Sequence, residues 1–228
     1  MKKTDKNILM ITSGGIGQRF GASIPKQYLL LDGKPVIEYV IEACRRCQTA
    51  DGILVVANSA YHNELREKYD VDVTDSGDQL NETKKNGFDY IDTYSSCEKL
   101  VVVEAVRPFL EAEVLDKTFE LLNDYDAVAC ARKITDSLGC YGTWVVNREE
   151  YYTLNPPEGF RFKLLKQYFK ADSLFTESIQ QLPDTSKIYL NFDVPYFDKI
   201  TYQEDFWRAE AMMKLRDKQS FIKNSMQD

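Results

Sequence analysis

Three observations predict an α/β protein built on a mainly parallel sheet. Short, continuous apolar runs recur at 8–11, 52–57, 100–103 and 127–131, the pattern of strands buried on both faces. Segments of helical spacing lie between them, so strands and helices alternate as in βαβ units. The loops rich in glycine and charge follow the strands, where ligands of such sheets sit. At 228 residues the chain can bury one sizeable core. With no internal repeat or low-complexity linker, it reads as a single domain over 1–228 with an arm.

The first run, 8–11, is expected to be a buried strand feeding Gly14, Gly15 and Gly17, with Arg19 and Lys26 following. Glycine lets the backbone approach a ligand closely and adopt positive φ. The N–H groups of such a loop form a concavity for an anion, and the two cations add positive charge. Phosphate is the natural guest. Apolar residues at 36, 37, 40, 41 and 44 then mark a helix with Pro35 in its first turn. A strand at 52–57, a helix at 61–69, a short strand at 71–74, a turn at 76–78 and a polar helix at 81–94 follow. The strand at 100–103 is broken by Arg107-Pro108, and a helix at 115–123 leads to the strand at 127–131. The loops at 14–26, 76–83 and 104–108 all leave strands and are expected to form one site.

From 133 to 160 the alternation stops. Gly139, Gly142, Trp144, Tyr151, Tyr152 and Asn155-Pro-Pro-Glu-Gly159 read as an aromatic-rich hairpin excursion, an arm over about 135–160 expected to pack on a second subunit. Short helices at 162–169 and 174–182, a strand at 187–190 and a closing helix at 202–218 complete the chain.

A net charge of −7 and a pI near 5.0 argue against a nucleic-acid or membrane-surface binder. A locally basic pocket for a small anionic substrate fits better. Nothing near the N-terminus reads as a signal peptide, and no window approaches 18 apolar residues. The five scattered cysteines suit reduced thiols in a cytoplasm. Cys44 and Cys47 form a CxxC inside a helical pattern with no second pair nearby, so they read as ordinary thiols rather than zinc ligands. His62 is the single histidine and lies on a polar helix, which leaves no histidine-based acid–base chemistry elsewhere.

The glycine loop fits neither the dinucleotide-binding G-x-G-x-x-G, since Phe20 stands at the last position counted from Gly15, nor the Walker pattern around Lys26. What remains, Ser13-Gly-Gly-Ile-Gly-Gln-Arg-x-Gly-x₃-Pro-Lys-Gln27, resembles the nucleotidyltransferases that build sugar and alditol nucleotides. The Pro25-Lys26-Gln27-Tyr28 ending is similar to the cytidylyltransferase branch, which holds the 2-C-methyl-D-erythritol 4-phosphate and ribitol-5-phosphate enzymes. The Gly-Gly-Ile-Gly form of the loop is closer to the ribitol type.

The resemblance implies a Rossmann-like, mainly parallel sheet of the nucleotide-diphospho-sugar transferase type with a protruding β-arm. It implies that Ser13, Gly14, Gly15 and Gly17 approach the nucleotide. Arg19 and Lys26 would grip the CTP phosphates and stabilise the charge that develops as an acceptor phosphate attacks the α-phosphate. Gly77, Asp78 and Thr83 match the stretch that recognises cytosine and ribose, although Leu80 stands where the family has an arginine. The run 102–109 matches His-Asp-Ala-Ala-Arg-Pro, with Val103 for the histidine and Glu104 for the aspartate that helps hold Mg²⁺. Ala105 would then lie beside the nucleotide and Arg107 would contact the acceptor phosphate. The lesser alternative, read without the family, is Glu104 as a capping or pairing carboxylate for Arg107.

Lys199 matches a further catalytic phosphate contact, with Asp193 a weaker carboxylate candidate. Thr135 and Arg148 match acceptor-binding residues of the arm, which in the family completes a partner's site across a homodimer. Pro156 and Glu158 replace a threonine and a glutamine of the arm. Glu158 is therefore expected near the acceptor, facing a hydroxyl-rich or amine-bearing group.

The expected function is transfer of CMP from CTP to a small polyol or sugar phosphate, ribitol-5-phosphate-like, with release of pyrophosphate. An ionised phosphate nucleophile needs no strong general base. The alternatives are the methylerythritol phosphate reaction, transfer to another phosphate or phosphonate, or a nucleotide-binding paralogue without turnover.

Overall fold

A computed structural model describes residues 1–15, 17, 20–21, 24–195 and 198–225, with side chains as far as 216. Nine strands are placed among these residues: β1 (Asn7–Ser13), β2 (Leu30–Leu31), β3 (Lys34–Pro35), β4 (Gly52–Ala57), β5 (Asp72–Asp75), β6 (Lys99–Glu104), β7 (Ala127–Lys133), β8 (Tyr152–Arg161) and β9 (Ile188–Asn191). The helices are α1 (Val36–Arg46), α2 (His62–Tyr69), α3 (Leu80–Tyr94), α4 (Ala112–Leu121), α5 (Phe162–Tyr168) and α6 (Gln203–Ser225). Seven strands form one sheet in the order β5-β4-β1-β6-β8-β7-β9, and β2 and β3 form a separate pair. Every pairing in the large sheet is parallel except those of β8, which runs against both β6 and β7.

Because strand side chains alternate between faces, β1 serves two cores. Leu9 and Ile11 pack with Ile37, Val40 and Ile41 of α1 and with Leu115 and Phe119 of α4. Ile8 and Met10 pack on the other face with Phe88 and Ile91 of α3 and with Phe162 and Leu165 of α5. All four β1 side chains are fully buried, and each such burial contributes roughly 1.5–3 kcal/mol. This is why the strand is apolar without interruption. Gly87 marks the closest approach of α3 to the sheet, since a β-carbon there would lie 2.3 Å from Met10 Sδ. A third cluster under α6 joins Phe20, Val36, Val106, Phe109 and Ile200.

The excursion is shorter than expected. Residues 152–161 are not arm: β8 is a central strand, paired with β6 from Lys99↔Arg161 to Val102↔Glu158 and with β7 on its other side. Asn155-Pro-Pro-Glu-Gly reads as a turn in sequence, but it passes through the sheet by a register shift opposite Ala129 and Cys130. Such a bulge tolerates prolines that a regular ladder would not. What protrudes is 134–151, where the ladder reduces to a single bridge between Cys140 and Thr143. Tyr141, Trp144 and Val145 there are almost wholly exposed.

The helix expected at 174–182 is one 3-10 turn, Ser178–Gln181. The carbonyls of Ser173, Phe175 and Thr176 accept from side chains of α3, which ties this segment to α3 in an irregular path. Cys44 and Cys47 are unbridged; Cys44 is buried in the core, and Cys47 donates its thiol hydrogen to Asp116. Among the described residues no helix is long and apolar enough to cross a membrane.

Candidate active site

The chain runs from β1 outward through β4 to β5 and then returns to place β6 on the other side of β1. That reversal opens a crevice at the carboxyl ends of β1 and β6, where ligands of open α/β sheets bind. Thr12 and Glu104 are register partners at this edge, and the Ala105 N–H donates to the Thr12 carbonyl at 3.0 Å. The loops leaving the two strands therefore start side by side. They wall a cleft of about 480 Å³ lined by Ser13, Gly14, Gly15, Gly17, Lys26, Gly77, Asp78, Thr83, Glu104, Ala105 and Lys199 together with Thr12, Gln27, Gln79, Leu80 and Val106.

The glycine loop is held from below by Gln27. Its buried side-chain amide donates to the carbonyls of Ser13 and Gly15, each at 2.9 Å. These bonds tie the described start of the loop, residues 13–15, to the short turn that begins at Lys26. Tyr28 adds a contact to the Ser13 hydroxyl at 3.3 Å and stacks on Tyr61 with ring centroids 3.7 Å apart. Gln27 was part of the sequence motif, but its role as the loop's fastener is visible only in three dimensions.

The opposite wall is the start of α3. Thr83 accepts the Gly77 N–H at 3.1 Å, and Glu82 accepts the N–H groups of Asp78 and Gln79 at 2.9 and 3.1 Å, capping the helix. Gly77 is required here, because a β-carbon would lie 2.3 Å from that of Glu82 and 3.0 Å from the Thr83 nitrogen. Gly14 is equally constrained: its β-carbon would meet Ser76 at 2.5 Å and Thr83 Oγ1 at 3.0 Å. The two walls thus touch through glycine. Leu80 makes its part of the lining apolar.

At the β6 end Glu104 is buried between two cations. One oxygen accepts from Arg107 Nε at 2.9 Å and the other from the Lys199 ammonium. Burial alone would push the Glu104 carboxyl up, but the charge of Arg107 and then of Lys199 outweighs it and holds the group below its ordinary range. The pairing reading of Glu104 is therefore what the structure displays.

Arg19 lies outside the described residues. Thr135 and Arg148 do not reach the cleft; both are exposed in the excursion, where Arg148 donates to the Thr135 carbonyl. Asp193 is exposed, and its N–H is held by Asn191. Glu158 corrects the expectation of an acceptor contact. It is 1 % exposed, sits on β8, and spends its oxygens on Lys84 and on the N–H groups of Ser178 and Ile179.

Glu177, next to that cluster, is pushed up to about 7 by burial and then by the charge of Glu158, with Lys84 opposing. The folded chain thus keeps a proton that the unfolded chain releases above its ordinary value of 4.5. Stability from this group is lost as the pH rises from about 4.5 to 7 and is level above. Glu177→Gln should flatten that slope in urea midpoints measured across the range; an unchanged slope would refute the assignment.

The fold and cleft are those of a nucleotidyltransferase-type α/β protein, with a glycine loop on one side and the Glu104–Lys199 pair on the other. Comparison with known proteins makes this specific. The family model of 2-C-methyl-D-erythritol 4-phosphate cytidylyltransferase (IspD) matches residues 7–215. The chain therefore belongs to this family of CTP-dependent nucleotidyltransferases. It is 30% identical over 223 residues to the 2-C-methyl-D-erythritol 4-phosphate cytidylyltransferase of Caldicellulosiruptor saccharolyticus, covering 92% of this chain and 98% of that one. It is 33% identical over 184 residues to the enzyme of that name from Porphyromonas gingivalis, covering 75% and 81%. Among solved structures, the 4-diphosphocytidyl-2C-methyl-D-erythritol synthase of Anaerococcus prevotii superposes with a TM-score of 0.78 at 24% identity, covering 92% and 96%. The 2-C-methyl-D-erythritol 4-phosphate cytidylyltransferase of Thermus thermophilus superposes with a TM-score of 0.72 at 20% identity, covering 94% and 100%.

Proposed function

We propose that this protein transfers CMP from CTP to the phosphate of 2-C-methyl-D-erythritol 4-phosphate, releasing pyrophosphate. The observation that carries this is the meeting, in one cleft, of Ser13, Gly14, Gly15, Gly17 and Lys26 with the wall at Gly77–Leu80 and Thr83 and the Glu104–Lys199 pair, on a chain whose family match spans 7–215. The family and its relatives favour this acceptor over the ribitol phosphate suggested by the loop's Gly-Gly-Ile-Gly form.

The acceptor phosphate oxygen attacks the α-phosphorus of CTP, and the bond to the bridging oxygen breaks as pyrophosphate leaves. Lys26 and Arg19 hold the triphosphate and offset its growing charge, so catalysis is positioning and electrostatics. Lys199 receives the acceptor phosphate, which competes with Glu104 for its ammonium, while Arg107, expected to contact that phosphate, is buried outside the cleft lining and holds the other oxygen of Glu104. Asp78 and Glu104 are the carboxylates among the described lining residues, and no group of three or more ligating side chains occurs among the described residues. Glu104 is the candidate single protein ligand for a Mg²⁺ ion, with phosphates and water as the rest, once the acceptor phosphate has drawn Lys199 off the oxygen that it occupies here. When bound, such an ion would neutralise phosphate charge.

The test is pyrophosphate release with CTP and methylerythritol, ribitol and sugar phosphates. Fastest turnover on the methylerythritol phosphate is expected. Preference for ribitol 5-phosphate would replace the acceptor, and tight CTP binding with no product from any of them would favour the non-catalytic paralogue. The bare aromatic surface of 134–151 supports a homodimer in which this excursion brings Thr135 and Arg148 to a partner's cleft. Trp144→Ser should shift the mass measured by light scattering toward the monomer; an unchanged mass would count against pairing through this segment.

A further inference from the structure

Lys84 follows Thr83 on α3 but points away from the cleft, into the space between α3 and β8. Its side chain is 4% exposed and that of Glu158 is 2%. The ammonium meets the Thr176 carbonyl at 2.7 Å, the Ser178 hydroxyl at 3.0 Å and Glu158 Oε2 at 3.4 Å, one acceptor for each of its three hydrogens. Glu158 is completed by the N–H groups of Ser178 and Ile179, both at 3.1 Å. It stands opposite Val102, two residues before Glu104 on β6. One turn earlier, Asn81 donates to the carbonyls of Ser173 and Phe175, each at 3.0 Å.

The side chains that α3 buries divide sharply along its length. Phe88 and Ile91 anchor its later turns in the core, whereas its first turns bury only Asn81, Thr83 and Lys84. The end of the helix that carries Leu80 and Thr83 in the cleft wall is therefore held by polar bonds. A buried ion pair is a poor way to gain stability, since apolar residues of similar volume often do as well or better. It is a good way to fix direction, because hydrogen bonds constrain angle where apolar packing permits sliding.

We propose that the Lys84–Glu158 pair is a positioning element for nucleotide recognition, setting the cleft wall 77–83 at its working distance from the loop 13–17. It touches neither substrate; it acts through α3. The inference rests on taking the cleft as the CTP site. A single substitution strands a buried charge, so the test uses the double variant Lys84→Met/Glu158→Gln, which removes both. Measured are thermal stability, calorimetric CTP affinity, and kcat and KM for CTP.

The expected result is stability close to that of the native protein, a rise of about tenfold in the dissociation constant and KM for CTP, and a kcat reduced far less. Ser178→Ala, which removes one acceptor without stranding a charge, should raise the KM by about threefold. It decides on the same criterion if the double variant does not fold. Native-like CTP affinity in a folded double variant, or in Ser178→Ala if the double is lost, would show the pair to be structural only and overturn the proposal. Failure of the native protein itself to bind CTP would overturn the site assignment and this inference with it, and the two failures are told apart by that control.

Discussion

Replacing Lys26 by alanine lowers kcat by about a hundredfold or more, on the scale seen when one preorganised charge-stabilising donor is removed. The argument is geometric. Lys26 lines the cleft beside Gly17 and begins the short turn whose next residue, Gln27, fastens the glycine loop. On the proposed function its ammonium would meet the phosphates from a segment that Gln27 already ties to the loop. Truncation removes the charge without disturbing Gln27, so thermal stability and overall CD should remain near native while turnover collapses. The expected signature is a fall in kcat at saturating CTP, measured by pyrophosphate release. A near-normal rate would mean that the triphosphate lies elsewhere.

Glu104→Leu is expected to have the largest effect on stability. The side chains of Glu104 and Arg107 are 11% and 7% exposed, and Lys199 shares the same carboxylate. Removing this carboxylate takes away the anion that the buried guanidinium and the Lys199 ammonium share. Breaking a buried pair from one side typically costs about 3–5 kcal/mol, a large part of the whole stability of a domain. Urea denaturation should report that loss, and Lys199→Met in the same background should recover part of it by relieving the repulsion. A Glu104→Leu variant as stable as the native protein would show that the pair is open to water rather than buried. Loss of the clamp should also raise the KM for the acceptor, since Arg107 and Lys199 would no longer be held in register.

Much of this was legible from the sequence because it depended on local pattern. Continuous apolar runs marked β1, β4, β6 and β7, and the loops following them converged as parallel topology requires. The glycine positions announced the loop. What escaped was long-range. Glu158 looked like an arm residue because its neighbours Pro156, Pro157 and Gly159 are turn formers, yet a bulge carries them through the sheet. Lys84 and Glu158 are separated by 74 residues, and no periodicity links a lysine on a polar helix to a glutamate after two prolines. Residues 174–182 carry a helical pattern, yet only 178–181 forms a 3-10 turn, in a segment tied to α3 by Asn81 and Lys84, which are distant in sequence.

The single reversed strand also dictates an order of assembly. β5, β4, β1 and β6 come from residues 7–104 and can pair as soon as that length is made. β6 then presents a bare edge, Lys99–Glu104, whose partner β8 lies beyond β7 and the whole excursion. Until residue 161 has emerged and β8 has slid between β6 and β7, a half-sheet ending in Leu-Val-Val-Val stands open. Unpaired apolar edges of this kind recruit other chains, and nascent domains expose them for as long as synthesis lasts. The interval between the making of β6 and the arrival of β8 is thus one in which that edge is open to pairing with another chain.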